Sequence, residues 1–332
     1  MKKRICIAGH LCVDNVYACE SFPREGELTN IISLNKTTGG LINNTSMSLA
    51  RLDPNLSIVV SGCIGPDSEG DYLLSRLSAF PNIDLSQIRK KGGTGFTAVM
   101  TNEQTKSRTF FQYSGSNAIY SEADIDWDAL DADVFHIGYI LLLPALDAPD
   151  AEYGTKMARL LKHAQEHGLK TSVDIVSETG ERFQKIVPPA LKYVDYCIIN
   201  EIEAQGSTGI PLRTADGKLL TENIPAALQK LHEMGVSEWA VIHAPEGGFG
   251  MDAAGNYAAL PSLNFPEGYI KGTTGAGDAF CAGVLCAIEN EKTLEEAIEL
   301  GTCSAGASLS QADSNSGIRP ADEVLKLREL YA

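Results

Sequence analysis

The sequence predicts a doubly wound α/β fold: a mostly parallel sheet with helices on both faces and a small strand lid. Three observations lead there. Short β-rich runs alternate with helical patterns along most of the 332 residues, the order that builds parallel strands through crossover helices. Several of the runs are continuously apolar, as strands buried on both faces are. Two stretches break this rhythm with strand pairs that have no helix between them.

The strands are expected at 5–8 (ICIA), 57–63 (SIVVSGC), 134–143 (VFHIGYILLL), 171–175 (TSVDI), 196–199 (YCII) and 239–243 (WAVIH), each rich in β-branched, aromatic or aliphatic residues. Helices are expected between and after them, at 43–51, 69–79, 151–167, 224–234, 278–289, 294–309 and 321–330. The lid comes from residues 11–38 and 92–114. In the second stretch Gly92, Gly93 and Gly95 precede two short strands, 97–101 and 108–113. These strands are too few to fold alone, and the natural place for them is over a site that must be closed against water. No repeat, low-complexity tract or linker divides the chain, so residues 1–332 are read as a single domain.

Composition narrows the functional classes. With 44% hydrophobic and 21% charged residues the chain is an ordinary folded protein. The 27 Lys and Arg against 43 Asp and Glu give a net charge of −16, which argues against nucleic acid or an anionic membrane as the main partner. A phosphate ligand remains open, because backbone N–H groups can cradle one locally whatever the global charge. After Met1, Lys2, Lys3 and Arg4 the apolar run is too short for a secretion signal. The run 137–146 contains Pro144 and falls short of a membrane span. A cytoplasmic protein is expected. The eight cysteines form no CxxC pair and sit mostly in apolar segments, indicating neither a zinc site nor a disulfide frame.

The most informative segment is Lys271, Gly272, Thr273, Thr274, Gly275, Ala276, Gly277, Asp278, which runs into the small-residue helix Ala279, Phe280, Cys281, Ala282, Gly283. A glycine-rich turn entering a helix offers free N–H groups and the positive end of the dipole, an anion hole. A carboxylate beside that hole suits one kind of chemistry, in which Asp278 accepts the proton of an alcohol while the hole stabilises charge on a phosphoryl group. Near the start, Asp14 follows a strand and turn, and Gly39, Gly40 and Asn44 precede a helix. Together they supply a carboxylate, two close backbone approaches and an amide, equipment for binding a polyhydroxylated substrate. Gly62, Gly65, Asp67 and Gly70 form a strand-to-helix turn in which Asp67 is read as a cap. Asn200 and Glu203 follow an apolar strand at the sheet edge where open α/β folds hold ligands. They read either as a polar strand end or as a pair organising Mg²⁺ and phosphates through water.

In this order and at these junctions, Gly39-Gly40 with Asn44, the Gly62 to Gly70 turn, Gly115-Ser116-Asn117, Asn200 with Glu203, and Thr273 to Phe280 resemble the motif set of the ribokinase, or PfkB-type, carbohydrate kinases. The resemblance spans nearly the whole chain. It implies a Rossmann-like domain with a β-clasp lid, and ATP-dependent phosphoryl transfer to a sugar-type hydroxyl. By position, Asp278 is then the catalytic base and the backbone of Gly275, Ala276 and Gly277 the anion hole. Asp14, Gly39, Gly40 and Asn44 bind substrate hydroxyls, and Asn200 and Glu203 serve Mg²⁺ and the phosphates, Glu203 through water. The loop from His243 to Gly248 and the region of Asn315 flank the nucleotide.

The departures restrict what carries over. Gly272 stands where an acidic residue or Asn is usual, and in many members that neighbourhood coordinates a monovalent cation, so potassium is left open. His243 and Pro245 replace the usual Thr and Gly of the nucleotide loop, and proline removes an N–H there. Val176 and Cys12 also replace frequent asparagines, which argues against assuming ribose. A nucleoside kinase of the same superfamily and a non-catalytic sugar-binding regulator are the alternatives. His136, His163 and His167 are read as packed or solvated, and His10, beside Asp14, as a weaker substrate candidate. Phe96, Phe110, Phe111 and Tyr113 suit a lid that closes over substrate or pairs with a second copy of the chain as a homodimer.

Overall fold

The computed structural model describes residues 3–105, 107–178 and 180–332; Met1 and Lys2 of the basic start and Lys106 of the second lid stretch lie outside the described residues. The chain begins with β1 (Arg4–Gly9) and leaves for the lid strands β2 (Cys12–Cys19) and β3 (Ile31–Gly39). It returns through α1 (Leu41–Leu52), β4 (Ser57–Ile64), α2 (Ser68–Leu77) and β5 (Ile83–Lys90). A second excursion forms β6 (Phe96–Asn102) and β7 (Arg108–Tyr113). There follow β8 (Val134–Ile140), α3 (Pro144–Asp147), the short pair β9 (Pro149–Asp150) and β10 (Gly154–Thr155), α4 (Lys156–Glu166), β11 (Lys170–Ile175), α5 (Arg182–Leu191), β12 (Tyr196–Asn200), α6 (Glu201–Thr208), α7 (Ile224–Met234), β13 (Trp239–Ala244), β14 (Gly247–Asp252), β15 (Tyr257–Pro261), α8 (Ala276–Glu289), α9 (Leu294–Ser308) and α10 (Ala321–Tyr331).

Nine strands make the main sheet in the order β15-β14-β13-β12-β11-β8-β1-β4-β5. All neighbours are parallel except β13 with β14 and β14 with β15. Along β1, Ile5 and Ile7 face one core with Leu49 of α1, Phe280 of α8 and Ile298 of α9. Cys6 and Ala8 face another with Phe135, Leu160 of α4 and Leu228 of α7. That alternation buries both faces of the sheet, the expected doubly wound arrangement. The four lid strands form a separate sheet in the order β3-β2-β6-β7, with β2 and β6 parallel.

Several boundaries differ from the sequence expectation for identifiable reasons. The helix expected at 151–167 starts at Lys156, because β9 and β10 pair first and Thr155 caps the helix by accepting from the Ala158 N–H at 3.1 Å. The strand expected at 134–143 stops at Ile140, where Leu141 takes φ 82°. Asp67 does cap α2, accepting from the Gly70 N–H at 2.9 Å and from the Thr94 hydroxyl at 2.6 Å. Strands β5, β14 and β15 and helices α5 and α6 are additions to the expected set of elements.

Candidate functional site

The turn at 273–278 organises the site. Gly275 caps α8 in the left-handed region at φ 78°, a conformation that favours glycine, and a Cβ there would also meet Ser314. The first turn leaves the N–H groups of Gly277 and Asp278 without an intrahelical acceptor. Asp278 is 7% exposed. Its Oδ1 accepts from the Tyr139 hydroxyl at 2.6 Å and its Oδ2 from the Asn44 amide at 3.0 Å. Burial pushes its pKa up to about 6; the two hydrogen bonds oppose this, and the nearby Asp14 carboxylate adds to it. A carboxylate with that affinity for a proton is ionised at neutral pH and still basic enough to take one.

Two cavities meet at this turn. The larger, of about 800 Å³, is walled on one side by Thr274, Gly275 and Asp278 and on the other by the inner face of the lid. Asp14, Gly40 and Asn44 all line it. Gly39 does not, but its missing Cβ is what lets the Asp14 carboxylate pack against the backbone. Gly40 caps α1 at φ 83° with the His10 ring against its Cα. The lid contributes Arg108, whose guanidinium donates to the Thr274 hydroxyl at 3.2 Å. Among the described lining residues, Asp14, Glu178, Asp278 and Asp313 face this single cation.

The smaller cavity, of about 500 Å³, takes Thr273, Ala276 and Gly277 from the same turn. Its walls are largely apolar: Ile202, Leu263, Phe265, Ile270, Phe280 and Leu309. Asn200 and His243 line it as well. The His243 ring packs on Phe280 with centroids 4.9 Å apart, and burial lowers its pKa to about 4, so it is neutral. A Cβ on Gly277 would stand 3.1 Å from this ring, a tight contact that would push the ring aside by a few tenths of an ångström.

Asn200 and Glu203 are brought together, but chiefly to cap α6. The Asn200 side chain accepts from the N–H groups of Ile202 and Glu203, and Glu203 accepts in return from the Asn200 N–H at 2.8 Å. Glu203 also accepts from the Asn200 amide at 2.7 Å and the Ser177 hydroxyl at 2.9 Å. It is buried, and burial pushes its pKa to about 8. Asp174, buried beside it, is raised well above the carboxylate range by burial and by the charges of Glu203 and Asp278. Among the described residues no cluster of three or more His, Cys, Asp or Glu is arranged to hold a metal directly.

Besides Gly39, three expected residues line neither cavity: Glu203, turned to the α6 cap, Gly248 and Asn315. Gly248 sits opposite His243 in the β13–β14 pairing, and the space a side chain would need there is filled by Ile298 and Phe280, below the smaller cavity. Asn315 lines neither cavity; its amide oxygen accepts from Arg51 at 3.4 Å, and its nitrogen is 3.6 Å from Met47 Sδ. Residues without a motif in the sequence also line the site, among them Tyr139, Arg108, Thr97, Gln112 and Ser177. The only signal for Tyr139 is its place at the C-terminal end of an apolar strand. The lid residues carry none until strand pairing fixes which side chains face inward. His136 is core, its Nδ1 2.8 Å from Ser172 Oγ.

Comparisons with known proteins bear on the fold and the family. A ribokinase of Haemophilus influenzae is 23% identical over 99% of both chains. An adenosine kinase of Schizosaccharomyces pombe is 23% identical over 80% of this chain and 77% of its own. Among solved structures, an Arabidopsis thaliana ribokinase complexed with ribose and ATP superposes with a TM-score of 0.81 at 21% identity, covering 98% of this chain and 99% of the other. A Methanocaldococcus jannaschii nucleoside kinase gives 0.74 at 18%, covering 99% of each. The profile of the pfkB family of carbohydrate kinases matches residues 2–321. The chain therefore belongs to the pfkB family of carbohydrate kinases, enzymes that transfer a phosphoryl group to a hydroxyl.

Proposed function

We propose that the chain, residues 1–332 acting as one catalytic unit, phosphorylates a hydroxyl of a small, uncharged sugar or sugar-like alcohol at the expense of ATP. The observation that carries this reading is the buried Asp278 carboxylate, standing where a polar, lid-covered cavity meets an apolar one across a helix N-terminus. The alcohol occupies the larger cavity among Asp14, Gly40 and Asn44. ATP places its base in the smaller one, against Ile202, Ile270 and Phe280, and its terminal phosphate at the turn. Asp278 takes the hydroxyl proton as the oxygen attacks the γ-phosphorus, and the bond to ADP breaks. The N–H groups of Gly275, Ala276 and Gly277 receive the charge on the transferring group, that of Ala276 giving up its 3.4 Å bond to the Thr273 carbonyl. Tyr139 and Asn44 hold the carboxylate in place, and Arg108 adds a cation from the lid.

The charge of the larger cavity supports a neutral acceptor. Four carboxylates would repel a sugar phosphate or sugar acid, and Arg108 is directed at the turn. A nucleoside is the second reading, favoured by the apolar lining of Val16, Val99, Phe110, Leu142 and Val176 beside the polar groups.

Mg²⁺ fits the oxygen-rich surroundings of Asp174, Ser177, Asn200 and Glu203. Both Glu203 oxygens are already accepting, while the buried Glu178 Oε1 has no hydrogen-bond partner, so these residues would hold the ion through water. Bound there, it would offset charge on the phosphates. For potassium, Gly272 offers no side-chain ligand, and only backbone carbonyls, those of Gln311 and Ala312, stand beside it.

The outer lid face exposes Leu34, Phe96, Phe111 and Tyr113, opposite in register to Asp14. This patch is suited to a second copy of the chain, and a sedimentation mass equal to one chain would dispose of that dimer. Assaying ATP consumption over a panel of sugars, polyols, sugar phosphates and nucleosides tests the function. Turnover only with phosphorylated acceptors would overturn the neutral-alcohol reading.

A further inference from the structure

Strand register sets Thr37, Asp14, Thr97 and Gln112 side by side across the inner face of the lid. Asp14 pairs with Thr37 and with Thr97, and Thr97 with Gln112. All four line the larger cavity. At the end of this row Gln112 reaches across to the body of the protein, where its Nε2 lies 3.2 Å from Nε2 of His10. An amide nitrogen donates and does not accept. In this orientation the imidazole Nε2 is the acceptor, which requires a neutral ring with its proton on Nδ1, a buried nitrogen that has no hydrogen-bond partner among the described residues.

The surroundings of His10 keep it neutral and fixed. The residue is 3% exposed, and burial lowers its pKa to about 4. Its ring is wedged between the Gly40 backbone and the Tyr139 ring, whose centroid is 5.9 Å away. A Cβ on Gly40 would come within 2.8 Å of Nδ1, so the ring can be seated this way only against glycine. With its N–H committed to His10, Gln112 keeps its carbonyl oxygen, Oε1, for the cavity. No hydrogen bond among the described residues engages that oxygen.

We propose that Gln112 is a specificity-determining residue, its amide oxygen accepting a hydrogen bond from a hydroxyl of the alcohol other than the one phosphorylated, and that His10 is the residue that positions it. The acceptor then carries at least two hydroxyls, one at Asp278 and one at the lid. This deepens the proposed function and rests on it for the identity of the larger cavity.

The test uses the full chain and a panel of pentoses, hexoses, polyols and nucleosides, each beside its monodeoxy analogues. Binding is measured by calorimetry without nucleotide, and turnover separately. For the tightest-binding alcohol, Gln112→Leu should raise Kd and KM about tenfold or more, leave kcat within about threefold, and abolish discrimination against one monodeoxy analogue. His10→Phe should lose the same discrimination, and His10→Gln, which still offers an acceptor, should recover part of it. Gln112 lies on an exposed lid strand, so its variant tests the idea even if the buried His10 variants fold poorly. The proposal fails if Gln112→Leu weakens every analogue equally, or lowers kcat with KM unchanged. A wild-type chain that binds alcohols without phosphorylating them would sink the kinase reading, while the Kd ratios would still decide the role of Gln112.

Discussion

The cavity proposed for the acceptor is walled in part by the side chains of Asp14, Asn44, Thr97, Gln112 and Asp278, and the one proposed for the nucleotide by Ile202, Leu263, Ile270, Phe280 and Leu309, although both open onto the same six-residue turn. On one side recognition is made of placed hydrogen-bonding groups that accept or donate at fixed points. On the other it is made of apolar shape, with polarity supplied by backbone N–H groups at the helix start. The two sides should therefore fail differently when altered. An acceptor-side substitution acts on a particular hydroxyl or on the proton transfer, whereas a nucleotide-side substitution acts on occupancy alone.

The largest separation is expected at Asp278. Asp278→Asn should lower kcat by about 10²- to 10⁴-fold while the ATP Kd, read by calorimetry, changes little. Equal losses in both would mean that the residue only shapes the pocket. Its ionisation adds a pH signature. Since the carboxylate must be charged to act, kcat/KM should rise with pH and level off above about 6. Stability should run the other way. The folded chain holds this proton to about pH 6 against an ordinary value of 3.8, so the contribution is complete below pH 4 and lost as pH rises through 6. That gap corresponds to about 3 kcal/mol, so by denaturant unfolding at pH 8 Asp278→Asn should be more stable than the parent by up to about that amount. Asn44 can turn its amide to serve the new side chain, because its Oδ1 has no partner.

Gly275→Ala should damage both cavities at once. The left-handed backbone and the contact with Ser314 predict a loss of about 1–3 kcal/mol in stability, with ATP and alcohol binding both weakened. Finer is the contrast between Ile202→Asp and Thr97→Val. The first should raise KM for ATP about tenfold and leave that of the alcohol alone; the second should raise KM for the alcohol a few-fold and leave ATP alone. Crossed effects would show that the cavities are not independent. Smallest of all is the response to potassium: replacing K⁺ by Na⁺ should change kcat less than about twofold, as Gly272 supplies no side-chain ligand.

The same contrast explains what is legible in the chain without its structure. Strands β1, β4, β8, β11, β12 and β13 are legible because burial on both faces keeps them rich in apolar and β-branched residues, several of them continuously apolar. Strand β5 is hidden because Asp84, Arg89 and Lys90 interrupt it at the sheet edge, and β14 because Gly247, Gly248 and Gly250 carry no pattern. Within the site, Asp278, Asp14 and Asn44 stand out through glycine turns at strand and helix junctions. Gln112, Arg108 and Thr97 escape because period-two alternation does not say which face points inward until β6 and β7 are paired. The nucleotide walls escape for a different reason. Phe280 and Leu309 look the same in sequence whether they bury a core or face a base. Glu203 shows the converse, a polar residue whose hydrogen bonds are largely taken by its own helix start.

The division of labour between lid and body bears on how such a protein diversifies. Tyr139, Asn44 and Asp278, which hold and form the proposed base, lie on β8, α1 and α8, whereas Thr37, Thr97 and Gln112 lie on lid strands drawn from two excursions of the chain. On the proposed reading, the holding of the base and most of the lid row are thus written in separate stretches of sequence, with Asn44 of α1 and Arg108 of β7 serving both sides. Drift in β3, β6 or β7 changes which hydroxyls are tolerated without displacing the proton acceptor. If the proposed roles hold, new acceptors are reachable by single lid substitutions, each step leaving a working phosphotransferase behind it.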